Sequence, residues 1–208
     1  MKWVGHSAEG LYDPSFEHDA CGVGFVVDIK GRQSHRIITQ ALTILRNLLH
    51  RGACGCEENT GDGAGILVQM PHAFLAGECA KLGITLPACG NYGAGFVFLP
   101  RDPRQSKLCQ STLEAIVQEE GQSVLGWRDV PADDSHLGPT ARSAEPAFKQ
   151  VFITRDPALT DDDAFERRLY VIRKRVEHAI ANSDLSEKEL FYIPSLSART
   201  LVYKGMLI

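Results

Sequence analysis

Residues 21–29 read Cys-Gly-Val-Gly-Phe-Val-Val-Asp-Ile, and residues 50–65 read His-Arg-Gly-Ala-Cys-Gly-Cys-Glu-Glu-Asn-Thr-Gly-Asp-Gly-Ala-Gly. The first stretch has the β-branched and aromatic content of a strand, predicted for Gly22 to Ile29, with Cys21 at its head. Gly31 and Arg32 turn the chain. Ile37, Ile38, Ala41, Leu42, Leu45, Leu48 and Leu49 then share one helical stripe, with Ser34 as N-cap and Gly52 as stop signal. The second stretch is loop, since glycines 52, 55, 61, 63 and 65 allow positive φ and close backbone approach to a ligand.

Working outward, strands are expected at Ile66–Met70, Ala94–Leu99, Ser123–Val130, Phe148–Thr154, Leu190–Ile193 and Thr200–Lys204. A helix is expected around His72–Lys81. Asp102-Pro103 opens another, with Leu108, Leu113, Ile116 and Val117 facing inward, which ends at Gly121. Thr160 to Asp163 fits a capping box, ahead of a helix burying Phe165, Leu169, Ile172, Val176 and Ala179. A polar connection of roughly 17 residues separates the third and fourth of these strands, long for a compact domain. Strands and helices mix without a strict alternation, which favours an α+β layered fold over a doubly wound sheet.

The chain has 208 residues, 44% apolar and 23% charged, enough for one domain with a real core. A net charge of -4 gives no footprint for nucleic acid, and no apolar run reaches membrane length. Residues 1–20 lack the apolar core of a secretory signal and carry acidic groups throughout. The six cysteines then read as reduced thiols in a cytoplasmic setting. His50, Cys54 and Cys56 form H-x3-C-x-C, one ligand short of the usual structural zinc site, and read as loop residues with no metal. The glycine-rich loop is followed by a strand and lacks a closing Gly-Lys-Ser/Thr, so it is neither a dinucleotide fingerprint nor a Walker A loop.

Cys21 is the sharpest chemical feature. A thiolate attacks carbonyl carbon well, but a free thiol is mostly protonated at neutral pH and needs a base. Cleavage of the Ala20-Cys21 bond would leave an α-amino group a few bonds from the sulfur. Its pKa of roughly 7.7 to 8.0 suits a base near neutrality. Taken alone, a cysteine at a strand start is more often a small buried hydrophobe. Arg51, where the helix delivers the chain to the loop, carries a fork able to hold a carboxylate or carbonyl; taken alone it is as readily a surface arginine.

Together, Asp-Ala-Cys-Gly-Val-Gly-Phe (19–25) and Leu48–Leu67 with its Thr-Gly-Asp-Gly-Ala-Gly resemble the type-2 glutamine amidotransferase domain. Within that family they look most like the large subunit of the glutamate synthases. The likeness continues through Gly126–Pro131, Phe148–Ile153 and Phe191–Leu207, covering the chain from about Tyr12 onward.

The resemblance implies a four-layer αββα Ntn-hydrolase fold with the nucleophile at the start of a strand. It implies that Cys21 is catalytic, that residues 1–20 are a propeptide and that Arg51 positions groups around the N-terminal cysteine. The implied substrate is glutamine, hydrolysed to glutamate and ammonia, with the ammonia passing to 2-oxoglutarate. FMN and an iron–sulfur cluster are implied for later domains and none for this chain. The implied partners are the remaining domains of the large subunit and a small reductase subunit.

In that family the oxyanion-hole Asn-Gly, and the arginine and aspartate that hold glutamine's amino-acid end, follow the Tyr-Lys-Gly-Met element. Residues 21–208 are therefore expected to be the N-terminal part of the domain, truncated on the C-terminal side and inactive alone. Amidotransferases that make glucosamine phosphate or phosphoribosylamine are a competing reading, but they usually begin Met-Cys. A non-catalytic assembly module is another, and an HNGEINT-like segment further along the gene would discriminate against it.

A first expectation follows from the chemistry of the amine. An acylated nitrogen is no base, so the active full-length protein should begin at Cys21. Intact mass and N-terminal sequencing check this; full glutaminase activity with residues 1–20 still attached would rule the mechanism out.

Overall fold

The computed structural model describes residues 22–48 and 63–205. Cys21, Arg51 and the Cys54/Cys56 pair lie outside those residues. Helix α1, His35–Asn47, starts where expected, with Ser34 accepting from the Arg36 amide at 3.2 Å. Strand β1 (Gly65–Gln69) and helix α2 (His72–Ala80) follow. Strand β2 (Tyr92–Leu99) leads to helix α3 (Pro103–Glu119), capped by Asp102 with Pro103 in its first turn. Strand β3 (Ser123–Asp129), helix α4 (Pro139–Ala144), strand β4 (Ala147–Thr154) and helix α5 (Asp162–Ala181) come next. Strands β5 (Tyr192–Ser197) and β6 (Thr200–Lys204) end the described chain.

Among the described residues the strands form two antiparallel sheets. One has four strands in the order β3-β4-β2-β5; the other is a ribbon of β1 and β6. Alternation along β2 divides the core between its two faces. Val97 and Leu99 look onto α3 and α5, where Cys109, Leu113, Val117, Phe165, Leu169, Ile172 and Val176 are buried. Tyr92, Ala94, Phe96 and Phe98 look the other way, onto Met70, Leu75, Cys79 and Leu201 from α2 and the ribbon. Helix α1 lies against β1. The order is helices, sheet, sheet, helix: an α+β fold with the expected four layers.

Several local expectations need correction. Residues 22–28 form no strand, because no described strand pairs with them and a strand exists only through its ladder. Leu108 is exposed, since the buried stripe of α3 runs through Cys109, Leu113, Ile116 and Val117, and residue 108 falls outside it. The cap of α5 is Asp161, whose carboxylate accepts from the amides of Asp163 and Ala164. A carboxylate at the positive end of a helix is favoured by the dipole as well as by the two bonds. Strand β5 runs on to Ser197 through Pro194, which an edge strand tolerates. The long polar connection holds α4, which the sequence reading lacked.

Gly93 shows how tightly the helical layer sits. A Cβ there would lie 2.6 Å from Cδ1 of Leu169, which is fully buried. Gly93→Ala should therefore cost about 1–3 kcal/mol of stability through overpacking. In chemical denaturation of the full-length protein, part of that loss should return when Leu169→Val opens space beside it. Additive losses in the double variant would contradict this packing.

Candidate functional site

The described residues flanking the chemically marked positions converge on α1. Gly22, the residue after Cys21, lies so close to Leu48 that a Cβ would stand 2.9 Å from Cδ2. A Cβ on Gly24 would stand closer still to Ile44, 2.5 Å from Cγ2. Glycine at both positions lets an extended chain lie flat on the last turns of the helix that leads toward Arg51. The alternate residues Val23, Phe25, Val27 and Ile29 face away, from 68% exposed at Val27 to 99% at Ile29.

The exit of the glycine-rich stretch is held by the ribbon. Gly63 has φ +84, a left-handed conformation that favours glycine. Gly65 pairs with Lys204, and the Gly205 amide donates to the Ala64 carbonyl at 2.7 Å. A side chain on Gly65 would meet Cβ of Lys204 at 2.9 Å. The structure thus lays residues 22–24 on the end of α1, and α1 in turn lies against β1 of the ribbon. Cys21 and Arg51 themselves, the two site residues read from the sequence, lie outside the described residues.

Beneath the ribbon runs a buried polar row that sequence reasoning missed. The strand registers align Arg128 of β3, Gln150 of β4, Phe96 of β2 and Ser195 of β5. Arg128 donates to Gln150 Oε1 at 2.9 Å and to Glu78 Oε2 of α2 at 3.2 Å. Gln150, fully buried, donates through Nε2 to the Tyr203 hydroxyl of β6 at 2.9 Å. The Val202 amide donates to Ser195 Oγ at 3.0 Å, and the Tyr203 ring packs on Phe96. The signal was available in Phe148-Lys-Gln-Val-Phe152: a glutamine between two phenylalanines at period two is a buried polar group needing partners.

Charge in this row is balanced locally. Lys81 and then Arg128 hold the Glu78 carboxyl below its ordinary value. Burial pushes the Tyr203 hydroxyl up, against the opposing pull of Gln150 and Arg128. On the ribbon's flank, His72 Nδ1 lies 3.1 Å from the hydroxyl of fully buried Tyr92, whose pKa burial raises. Cys79 and Cys109 are buried thiols with raised pKa, Cys109 to about 11, so neither is poised as a nucleophile. Among the described residues no three His, Cys, Asp or Glu side chains come together as a metal site needs. None of the described helices is long and apolar enough to cross a membrane.

Trp127 is half-buried and donates to Glu114 at 2.8 Å, and Phe191 packs against the core. Tyr192 is partly exposed, between Phe98 and Lys204. Tyr170 is exposed on α5.

The family described as class-II glutamine amidotransferases matches residues 21–208. The large chain of the glutamate synthase [NADPH] of Bacillus subtilis is 46% identical over 200 residues, which are 96% of this chain and 13% of that one. The glutamate synthase [NADH] of Schizosaccharomyces pombe is 41% identical over 212 residues, 99% of this chain and 10% of that one. The ferredoxin-dependent glutamate synthase 2 of Synechocystis is 36% identical over 190 residues, 91% of this chain and 12% of that one. The chain therefore spans only about an eighth of the length of these relatives or less.

The lowered pKa of Glu78 has a consequence for acid stability. A carboxyl depressed on folding contributes stability that is present above its ordinary value of 4.5 and is lost as pH falls through the folded value. In the full-length protein, Glu78→Gln should lower Tm at neutral pH. The gap to wild type should close on acidification below that point. Thermal unfolding against pH measures this, and a gap constant with pH would contradict it.

Proposed function

Because this chain belongs to the class-II glutamine amidotransferase family, we propose that it supplies the glutamine-hydrolysing part of a glutamate synthase, with Cys21 as nucleophile. The observation that carries the reading is the family match, which begins at Cys21 and runs to residue 208. The alternative that it serves one of the other amidotransferases has less support, since the relatives compared above are glutamate synthases at 36–46% identity.

On this reading residues 1–20 are removed and the new α-amine of Cys21 takes the thiol proton. The sulfur then attacks the side-chain carbonyl carbon of glutamine, and the carbon–nitrogen bond breaks as the amine returns a proton to the leaving nitrogen. Ammonia departs and a thioester remains. Water, deprotonated by the same amine, releases glutamate and restores the thiol. Arg51 holds a carboxylate or carbonyl beside the cysteine. The packing of Gly22 on Leu48 supports this pairing, because it joins the chain next to Cys21 to the helix that leads toward Arg51.

The ammonia is proposed to pass within the larger enzyme to 2-oxoglutarate, with the rest of the large chain, and a small reductase subunit, as partners. FMN and iron–sulfur chemistry are assigned to those other parts, and no step here is routed through them. A cytoplasmic location is part of the same reading. So is low activity of residues 1–208 by themselves, which comparing ammonia release from this piece and from a longer one would check.

In the full-length enzyme, Cys21→Ala should abolish glutamine-dependent synthesis while leaving synthesis from free ammonia. Cys54→Ser and Cys56→Ser should be mild. An electrophilic glutamine analogue should label Cys21, as read by peptide mass; labelling at Cys54 with Cys21 untouched would overturn the nucleophile.

A further inference from the structure

A two-stranded ribbon has little stability of its own, so β1 and β6 lie where the four-stranded sheet holds them. Most of that contact is apolar: Leu201 and Val68 on Phe96, Phe152 and their neighbours. Apolar contact is non-directional and tolerates small slides and rotations. Hydrogen bonds do not, because their geometry is narrow.

Among the described residues three such bonds join the ribbon to the sheet: Thr200 to Ser197 beside the short β5–β6 connection, and, further along, Gln150 to Tyr203 and Val202 to Ser195, from two residues of one cross-strand row. The direction of the first is fixed from behind. Arg128 has only donors to offer, so Gln150 turns its carbonyl to Arg128 and its N–H to Tyr203. Arg128 is in turn held by Glu78 of α2, with a side chain only 8% exposed. The chain Glu78–Arg128–Gln150–Tyr203 therefore runs in one direction, with Arg128 donating to Glu78 and Gln150 and Gln150 donating to Tyr203.

What this chain holds in place is the backbone next to the chemistry. Tyr203 lies opposite Ile66, and its neighbours Lys204 and Gly205 hold Gly65 and Ala64, where the glycine-rich stretch enters the sheet. We propose that the Glu78–Arg128–Gln150–Tyr203 row is a clamp that fixes the ribbon's position on the sheet, and that Tyr203 is thereby a positioning residue for glutamine hydrolysis. This rests on the functional reading above. The clamp works through backbone placement; none of its four side chains is assigned contact with substrate.

The test uses the full-length enzyme and three substitutions that change few atoms. Tyr203→Phe removes one oxygen, and Gln150→Leu removes both links of the amide. Gln150→Glu keeps both, since a carboxylate accepts from Arg128 and also from the Tyr203 hydroxyl, reversing one proton. Two readouts are taken: amide hydrogen exchange over residues 65–69 and 200–205, and kcat and KM for glutamine hydrolysis.

Loss of one buried bond should speed exchange of the ribbon about 10-fold in Tyr203→Phe and Gln150→Leu. A displaced site should lower kcat about 10- to 100-fold with KM changed no more than about twofold. Gln150→Glu should stay within about threefold of wild type in both readouts. If Gln150→Leu fails to fold, Tyr203→Phe and Gln150→Glu decide the matter between them.

Unchanged exchange in Tyr203→Phe overturns the clamp. Faster exchange with unchanged kcat overturns the positioning role, because a purely structural bond would behave that way. A wild-type enzyme that does not hydrolyse glutamine fails the functional reading instead, and the exchange rates then decide the clamp on their own.

Discussion

A guanidinium buried between a sheet and helix α2 must be met by acceptors, and the way Arg128 is met organises much of this structure. Leaving such a charge unpaired costs several kcal/mol. Glu78 and Gln150 answer it, and Gln150 is then left with its amide N–H groups to give, which reach the Tyr203 hydroxyl. Helix α2, strands β3 and β4 and the ribbon strand β6 are thereby bound in one sequence of donors and acceptors. The apolar residues around them supply the larger share of the free energy, since each fully buried large side chain is worth about 1.5–3 kcal/mol. They do not choose one arrangement among near neighbours. The polar row does.

The two sides of the four-stranded sheet are unequal. Toward α3 and α5 the layers close over a continuous core that includes Leu113, Phe165, Leu169, Ile172 and Val176, all fully buried. On the far side of the ribbon, α1 buries no residue completely, and the chain from Gly22 packs its glycines on it. The segments nearest the proposed chemistry are the ones with least burial behind them. Their placement rests on a few directional contacts: the Gly205–Ala64 bond, the Gly65–Lys204 pairing and the row beneath.

Family membership and geometry bear on different parts of the function. The relatives compared are named for three electron donors, NADPH, NADH and ferredoxin, yet each matches this segment over at least 91% of its length. That fits a segment whose chemistry is common to all three, as hydrolysis of an amide by a thiol would be. A nucleophile that carries its own base needs little from the fold beyond a free N-terminus and a held substrate. On the proposed function, α1 bears on that requirement by holding residues 22–24, and the ribbon by holding the end of the glycine-rich stretch.

Much of the fold was written in local sequence. Ser34, Asp102 and Pro103 mark helix starts through their own side chains, and the stripes of α3 and α5 follow from 3.6-residue spacing, so these elements could be placed without knowing their neighbours. Cys21 and Arg51, the positions proposed for chemistry, were read from residue type and from the family's motifs, and lie outside the described residues. What local sequence could not decide was anything requiring a partner distant along the chain. Residues 22–28 alternate like a strand, yet strandedness depends on a neighbouring ladder that periodicity does not specify. Leu108 looked inward until the packing of α5 on α3 selected the stripe through Cys109. Arg128, Gln150 and Tyr203 are each unremarkable alone, and become one row only when the β3–β4 register sets Arg128 beside Gln150 and the packing of the ribbon brings Tyr203 to Gln150. A hydrogen bond across 22 or 53 residues leaves no local pattern; it exists because the folded layers bring a buried donor to the acceptor it must have.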